Sequence, residues 1–318
     1  MPRVWRLLDH GDAPGAFNMG VDEAILATAI ATGEPTLRLY GWSGTWLSLG
    51  YAQRPDARLE ARCHHAGVGV VYRSTGGRAV LHGADLTYAV AAPEPLLPAG
   101  LRATYTRLSD AIAAALREIG VLAERIADPP ESATEGQETG VDFDCFAVPA
   151  VDELCVAGRK LVGSAQRRGD GGVLQHGSIR LRAAPEAARE AVGFAPDVAT
   201  SLAEIGCAAS NRALRRACTT AFSEALGAAL VAGALRPHEI RSASRRGLAP
   251  SRGVWSSQER HAATDTEAGS GITPPVSRFR IRRRGAFWRR PSARSSRPRG
   301  SSPRRARPRR PSKSTRSS

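Results

Sequence analysis

The strongest restriction on how this chain can fold is an abrupt change of character near residue 241. From Arg241 to Ser318 it carries 22 Lys+Arg against 3 Asp+Glu, a net charge of +19. Stretches such as "RRRGAFWRRPSARSSRPRGSSPRRARPRR" have no apolar period and consist largely of Arg, Ser and Pro, a composition that cannot bury enough surface to offset chain entropy. Residues 241–318 are therefore expected to be a disordered basic tail, and the folded domain to lie within 1–240. The overall charge of +15 hides a core that is mildly acidic, at −4. The tail reads either as a basic arm for a polyanion or as an out-of-frame extension. No folded nucleic-acid reader accompanies it, so nucleic acid is not an expected partner.

Within 1–240, helical and strand patterns alternate. "NMGVDEAILATAIATG", Asn18 to Gly33, has apolar residues at helical spacing, with Asn18 able to cap and Gly33 able to terminate. "PTLRLYGW" and "WLSLGYAQ" are strand-like runs joined at a Ser-Gly turn, and "VGVVYRSTGGRAVLHGADLTYAVAA" gives short strands broken at Gly76-Gly77 and Gly83. "YTRLSDAIAAALREIGV" is an amphipathic helix; "DELCVAGRKLVGSAQRR" is a hairpin turning at Ala157-Gly158, followed by the strand "GGVLQHGSIRL". Residues 183–235 are rich in helical alanine patterns, and the helical period is lost after "LRPHEI". Helices do not separate every strand, so the expected class is α/β of the α+β kind, with a mixed or antiparallel sheet flanked by helices.

Several classes are excluded. No run of about 18 apolar residues offers a membrane helix. The opening "MPRVWRLLDHGDAPGAF" is too weakly apolar for a signal peptide. Five scattered cysteines fit reduced thiols of a cytoplasmic protein better than a disulfide framework. "CHH" at Cys63–His65 has no second cluster at metal-ligand spacing, so no metal is expected.

Two segments carry chemistry. In "YRSTGGRAVLHGADLTYAV", Gly76-Gly77 lets backbone approach a ligand closely, with Arg73 and Arg78 on either side and His82 on the next strand. In "CFAVPAVDELCVAGRKLVGSAQRR", two thiols, Cys145 and Cys155, stand near Lys160. Of 45 Lys+Arg only Lys160 and Lys313 are lysine, so a lysine kept here points to a need for a compact, rotatable ammonium. Cys155 lies between Leu154 and Val156 and reads as a small strand hydrophobe.

Together with "LQHGSIRL", "WRLLDHGDAPGAFNMGVDEAIL" and "LRLYGWSGTWLSLGYAQ", these segments resemble the lipoate-protein ligase/biotin ligase superfamily. Within it they are most similar to the LipM-type octanoyltransferases, over about residues 4–240. The resemblance implies transfer of octanoyl from acyl carrier protein to a lysine of a lipoyl domain or glycine-cleavage H protein, without a cofactor. It assigns Cys145 as the acyl-carrying nucleophile and Lys160 as the group holding the acyl carbonyl oxygen. It lines the acyl tunnel with Arg73, Gly76, Gly77, Arg78, His82, Ser164, Gln166, His176 and Gly177. Asp142 and Asp144 would oppose a thiolate at Cys145 while Lys160 would favour one. His82 and His176 are open between proton transfer and buried hydrogen bonding. Arg102, Arg107, Arg167 and Arg168 are candidates for docking acidic carrier proteins.

ATP-dependent lipoate ligases resemble the same pattern, but with three glycines where Arg78 follows Gly76-Gly77 here, and would bring ATP and magnesium. A non-catalytic carrier-binding module on the same fold predicts loss of the cysteine or the lysine, and both are present. Beyond "LRPHEI" the chain departs from the family, whose members continue in helix, so the terminal helix is expected to be missing.

Overall fold

The structure, a computed structural model, describes residues 3–125, 153–194 and 199–248. Cys145, Asp142, Asp144 and all but the first residues of the expected tail lie outside these ranges.

An eight-stranded mixed sheet forms the centre. In chain order its strands are β1 (Arg3–Ala13), β2 (Thr36–Trp42), β6 (Asp85–Pro93), β7 (Glu124–Arg125), β8 (Leu154–Val156), β9 (Arg159–Gly169), β10 (Gly172–Arg180) and β11 (Ala228–Ala232). They lie in the order β11-β1-β2-β6-β10-β9-β8-β7. β1 is parallel to both β11 and β2, and the remaining pairs are antiparallel. A second, three-stranded sheet holds β3 (Thr45–Leu49) between β4 (Val68–Tyr72) and β5 (Val80–His82).

The two faces of the large sheet follow from strand alternation. Leu37, Leu39, Leu86, Tyr88, Val90, Val173 and Ile179 face α3 (Leu101–Glu118) and α5 (Asn211–Leu226), burying Leu108, Ile112, Leu214 and Phe222. Their neighbours Tyr40, Ala89, Ala91 and Leu174 face α1 (Gly15–Thr32) and join Met19, Val21 and Ile25. The small sheet packs Leu47, Leu49 and Val68 with α2 (Ala57–His65) and α4 (Glu186–Val192).

Three expectations change. The helix expected from Asn18 starts at Gly15, and Asn18 is buried within it rather than capping it. Its amide donates to Ala13 O at 3.0 Å and Gly41 O at 2.9 Å. Gly33 does end the helix, at φ 78°. β1, which the local patterns left unassigned, is a strand, and so is β11, which lies inside the stretch 183–235 expected to be helix-rich and is fixed by parallel pairing with β1. Last, the chain does not lose its helix at 240: α6 (Pro237–Leu248) crosses that boundary.

The anchor of α6 is polar and its crossing is close, which explains why apolar periodicity did not reveal it. Buried Glu239 takes two bonds from Arg6, at 2.6 and 3.0 Å, and one from Arg236 N at 2.8 Å. Burial alone would raise the Glu239 carboxyl, but these bonds outweigh it and hold it below its usual range. A Cβ on Gly20 would stand 2.8 Å from the Ala243 backbone, so α1 and α6 meet backbone to backbone.

Candidate active site

Between β9, β10 and the small sheet lies a cavity with about 340 Å³ of free space, its open mouth included. Gly76 and Gly77 are exposed at the mouth, and Ser164 and Ala165 are half-buried there. A Cβ on Gly77 would stand 3.8 Å from Ala165 Cβ, and its φ of 86° suits glycine. The inner end is closed by Met19, Tyr40 and Trp42, all buried.

The sheet supplies this shape. The face that carries Tyr40, Thr87, His176 and Ser178 continues on β9 as Gly163 and Ala165, paired with Ser178 and His176. Two small residues in succession leave room where larger side chains would fill the cleft. Although Ser48, Arg73, His82, Thr87, His176 and Ser178 all contribute to the lining, the surface they present is almost wholly carbon. Their polar atoms are consumed by one another.

One network runs through His82. Asp85 Oδ2 accepts from His82 Nδ1 at 2.7 Å, and Ser48 Oγ meets Nε2 at 2.7 Å. Arg73 Nη1 donates to Ser48 Oγ at 2.9 Å and to Ser48 O at 2.8 Å. Arg73 Nη2 closes the Gly76-Gly77 turn on the carbonyls of Gly76, at 3.0 Å, and Arg78, at 2.8 Å. Trp42 stacks on His82 at 3.8 Å. Burial and the Arg73 charge together outweigh Asp85 and lower the His82 pKa, keeping the ring neutral. Asp85, though burial opposes it, is held below the usual carboxylate range chiefly by His82.

A second network runs through His176. Its Nδ1 donates to Asp22 Oδ2 at 3.0 Å, and its Nε2 meets the buried Thr75 hydroxyl at 2.7 Å. Asp22 also accepts from Tyr40 OH at 2.8 Å and from Arg38 at 2.7 Å. Burial works to raise the Asp22 carboxyl, but Arg38 and His176 outweigh it and lower it.

Lys160 sits beside the cavity rather than in its wall. The pairing of β8 with β9 slips by one residue at Leu161, so Leu161 and Val162 both enter the core under α3. Lys160 therefore no longer shares the face of Val162. It pairs with Ala199, which packs on the cavity-lining Val80. Its ammonium meets Glu153 Oε1 at 2.5 Å, both residues being buried. Cys155, across the hairpin from Lys160, is buried; burial, and then Glu153, push its thiol up to about 11, so it is not a thiolate at neutral pH.

The structure thus lines the cavity with Arg73, His82, Ser164, His176 and Gly177; Gly77 stands beside the lining Ala165, and Gly76 and Arg78 are tied to the lining Arg73 through their carbonyls. Gln166 is not among them. On β9 it alternates to the opposite face, where it donates to Gln175 Oε1 at 2.7 Å. Ser164 lines the mouth through its backbone edge while its hydroxyl turns to Tyr88 at 2.8 Å. Arg168 is half-buried and donates to Pro98 O at 2.9 Å and Thr104 Oγ1 at 2.8 Å. Arg102, Arg107 and Arg167 are exposed.

Sequence reasoning missed Asp22, Ser48, Thr75, Asp85 and Glu153. Asp22 left a usable signal, since a carboxylate on the apolar stripe of "NMGVDEAIL" must find a buried partner. Glu153 is the second residue of the quoted hairpin, but only the fold shows that it meets Lys160. Among the described residues no group of His, Cys, Asp and Glu is arranged to hold a metal ion, and no helix is long and apolar enough to cross a membrane.

Comparison with known proteins agrees with this geometry. Residues 14–223 match the family model described as the lipoyl protein ligase A/B catalytic domain. Octanoyltransferase LipM of Kyrpidia tusciae is 39% identical over 261 residues, covering 76% of this chain and 94% of that protein. Octanoyltransferase LipM of Symbiobacterium thermophilum is 40% identical over 262 residues, with the same coverage of 76% and 94%. Among solved structures, lipoate-protein ligase A bound with ATP aligns with a TM-score of 0.62 at 19% identity, over 77% of this chain and 94% of that one, a likeness of fold.

Proposed function

The chain belongs to the lipoyl protein ligase A/B catalytic-domain family, on its LipM-type octanoyltransferase branch, and from that membership we propose that it transfers octanoyl groups in lipoate biosynthesis. The observation that carries this reading is the carbon-walled cavity behind the Gly76-Gly77 turn, with an ammonium beside it. Its almost wholly carbon surface suits an alkyl chain.

In this reading the Cys145 thiolate attacks the thioester of octanoyl-acyl carrier protein. A new S–acyl bond forms, and the carrier leaves as its thiolate. The ε-amine of a lysine on a lipoyl domain or glycine-cleavage H protein then attacks the acyl-enzyme, breaking its C–S bond, forming the amide and returning Cys145 as thiolate; the amine's proton passes to solvent, balancing the one taken up by the released carrier thiolate. Lys160 donates to the acyl oxygen as negative charge develops there, and Glu153 holds the ammonium in place. Thioester exchange needs no nucleotide, so neither ATP nor magnesium enters.

The test is the intact mass of wild type, Cys145→Ser and Cys155→Ser after mixing with octanoyl-acyl carrier protein without ATP. A hydroxylamine-labile octanoyl adduct missing only from Cys145→Ser is the expected result. Loss only in Cys155→Ser moves the nucleophile. Acylation of the acceptor from free octanoate with ATP, and no adduct without it, replaces the transferase with a ligase. No transfer under either condition leaves the non-catalytic module.

A further inference from the structure

We propose that His82 and His176 are positioning residues that clamp the Arg73–Arg78 turn at the cavity mouth, and that neither carries a proton in the acyl exchange. The proposal rests on the octanoyltransferase reading above, but stands on hydrogen bonds that do not involve the nucleophile.

Both rings are built into the same arrangement, carboxylate to imidazole to hydroxyl. Asp85 and Asp22, as carboxylates, can only accept, so each fixes the proton of its histidine on Nδ1. Each Nε2 is then committed to a hydroxyl at 2.7 Å, Ser48 for His82 and Thr75 for His176. Neither imidazole keeps a nitrogen for a substrate, although both line the cavity.

The two chains end on the same turn. Thr75 belongs to it directly, and its carbonyl accepts from Tyr51 N at 2.9 Å. Ser48 reaches it through Arg73, whose other amino group bonds the carbonyls of Gly76 and Arg78. Arg73 N also donates to Leu49 O at 2.8 Å.

Neither chain can deliver a proton. Towards the turn the His82 chain stops at the Arg73 guanidinium, which holds its protons throughout the physiological range; its other branch, Ser178 Oγ at 3.2 Å from Nδ1, closes back through Thr87 on Asp85. The His176 chain stops at Thr75, which is fully buried. A positioning role explains what proton transfer does not: why two unrelated histidines, on β5 and β10, converge on one six-residue turn containing two glycines. Without side-chain pinning, Gly76 and Gly77 would leave this segment the softest part of the mouth.

Glutamine separates the two roles, because its amide can hold a hydroxyl where Nε2 stood but cannot act as a base near neutral pH. His176→Gln and His82→Gln are expected to keep kcat/KM within about tenfold of wild type with the pH profile unmoved, whereas the alanine variants fall about 100-fold. Thr75→Val should behave like His176→Ala. If Gln and Ala variants lose activity equally, by the 100- to 10,000-fold typical of a missing general base, and one limb of the pH profile vanishes with them, the proposal is overturned.

A second readout is independent of turnover. Hydrogen exchange at the amides of Arg73 and Tyr51, which bond across the turn, should be slow in wild type and the Gln variants and at least tenfold faster in His176→Ala. Unchanged protection in both alanine variants refutes the clamp, even if the protein proves to transfer some other group. Slow exchange in wild type without any octanoyl transfer would instead fault the functional reading alone.

Discussion

Replacing Met19 with alanine should lengthen the acyl chain this protein prefers. Met19 is only 5% exposed and closes the inner end of the cavity with Tyr40 and Trp42, opposite the mouth at Gly76-Gly77. Of these three it is the one without a hydrogen bond to lose, since Tyr40 bonds Asp22 and Trp42 bonds Thr87. Truncation removes three side-chain heavy atoms and leaves space for about two more methylenes. Each methylene transferred from water to an apolar site contributes about 0.8 kcal/mol. Two therefore shift the preference for decanoyl over octanoyl by about 1.6 kcal/mol, roughly 15-fold in relative kcat/KM. Met19→Phe should shorten the optimum, to hexanoyl. The assay is acyl transfer from a hexanoyl, octanoyl, decanoyl and dodecanoyl carrier-protein series, reported as ratios so that a fall in overall activity does not matter. The cavity left by alanine also costs about 2–5 kcal/mol of stability, which thermal melting would register. Chain-length ratios that stay fixed in both variants would mean that the acyl tail does not end at Met19.

Four further outcomes follow from particular contacts. Gly177→Ala places a methyl group against Ser164 Oγ and 2.7 Å from Tyr88 Cε1; overpacking of this kind costs about 1–3 kcal/mol and should lower Tm by several degrees. His82 has a lowered folded pKa, so between that value and about 6.5 the unfolded chain binds the extra proton. Stability from this group is complete above about pH 6.5 and is lost as the pH falls, so urea midpoints measured from pH 7.5 to 5 should drop in wild type and change less in His82→Gln. Glu239→Ala takes the bidentate partner from buried Arg6, leaving Glu34 at 3.7 Å as its only carboxylate, and should destabilise by about 3 kcal/mol, while Arg6→Met with Glu239→Leu recovers most of that loss. Lys160→Arg keeps the charge, yet the bulkier guanidinium has to fit a fully buried site at 2.5 Å from Glu153; acyl transfer should fall at least 10-fold with the fold intact by circular dichroism.

How far the sequence could be read depended on whether the signal was local. The Gly33 stop, the Ala157-Gly158 turn and the breaks at Gly76-Gly77 and Gly83 all appear where local chemistry put them, with Ala157 at φ 49° and Gly158 at 75°. These are decisions made over three or four residues. Asn18 has the composition of a cap, but the buried Arg38, at 2.6 Å from its side-chain oxygen, draws it into the helix interior. Gln166 was placed in the tunnel by motif membership; only the pairing Gln166 to Gln175 fixes which face of the sheet it occupies. β11 and α6 are long-range products, one completed by pairing with β1 and the other seated by an ion pair 233 residues apart in sequence. Asp22, Asp85 and Glu153 are ordinary acids in the sequence and become informative only when their buried partners are known.

The cavity shows how a polar set of residues can make an apolar surface. Transfer of an octanoyl group calls for a dry channel, yet the channel is bordered by two histidines, an arginine and several hydroxyls. An exposed hydroxyl or imidazole there would hold water and compete with the alkyl chain. Saturation removes that competition: Thr87, for example, donates to Asp85 at 3.2 Å, accepts from Trp42 at 2.8 Å and meets Ser178 at 2.9 Å, leaving its methyl to the cavity. The same bonds that dry the wall also fix the turn at its mouth, so apolar lining and rigid entrance are one property of the network. Lys160 follows the opposite rule. Its ammonium pairs with the Glu153 carboxylate in a buried setting where charge interacts strongly. In the proposed transfer, an acyl oxygen that gains charge as its carbonyl is attacked would be held by that ammonium. The carboxylate thus lets a lysine be buried and charged at once, which explains why the single lysine of the folded region stands where the sequence spends it.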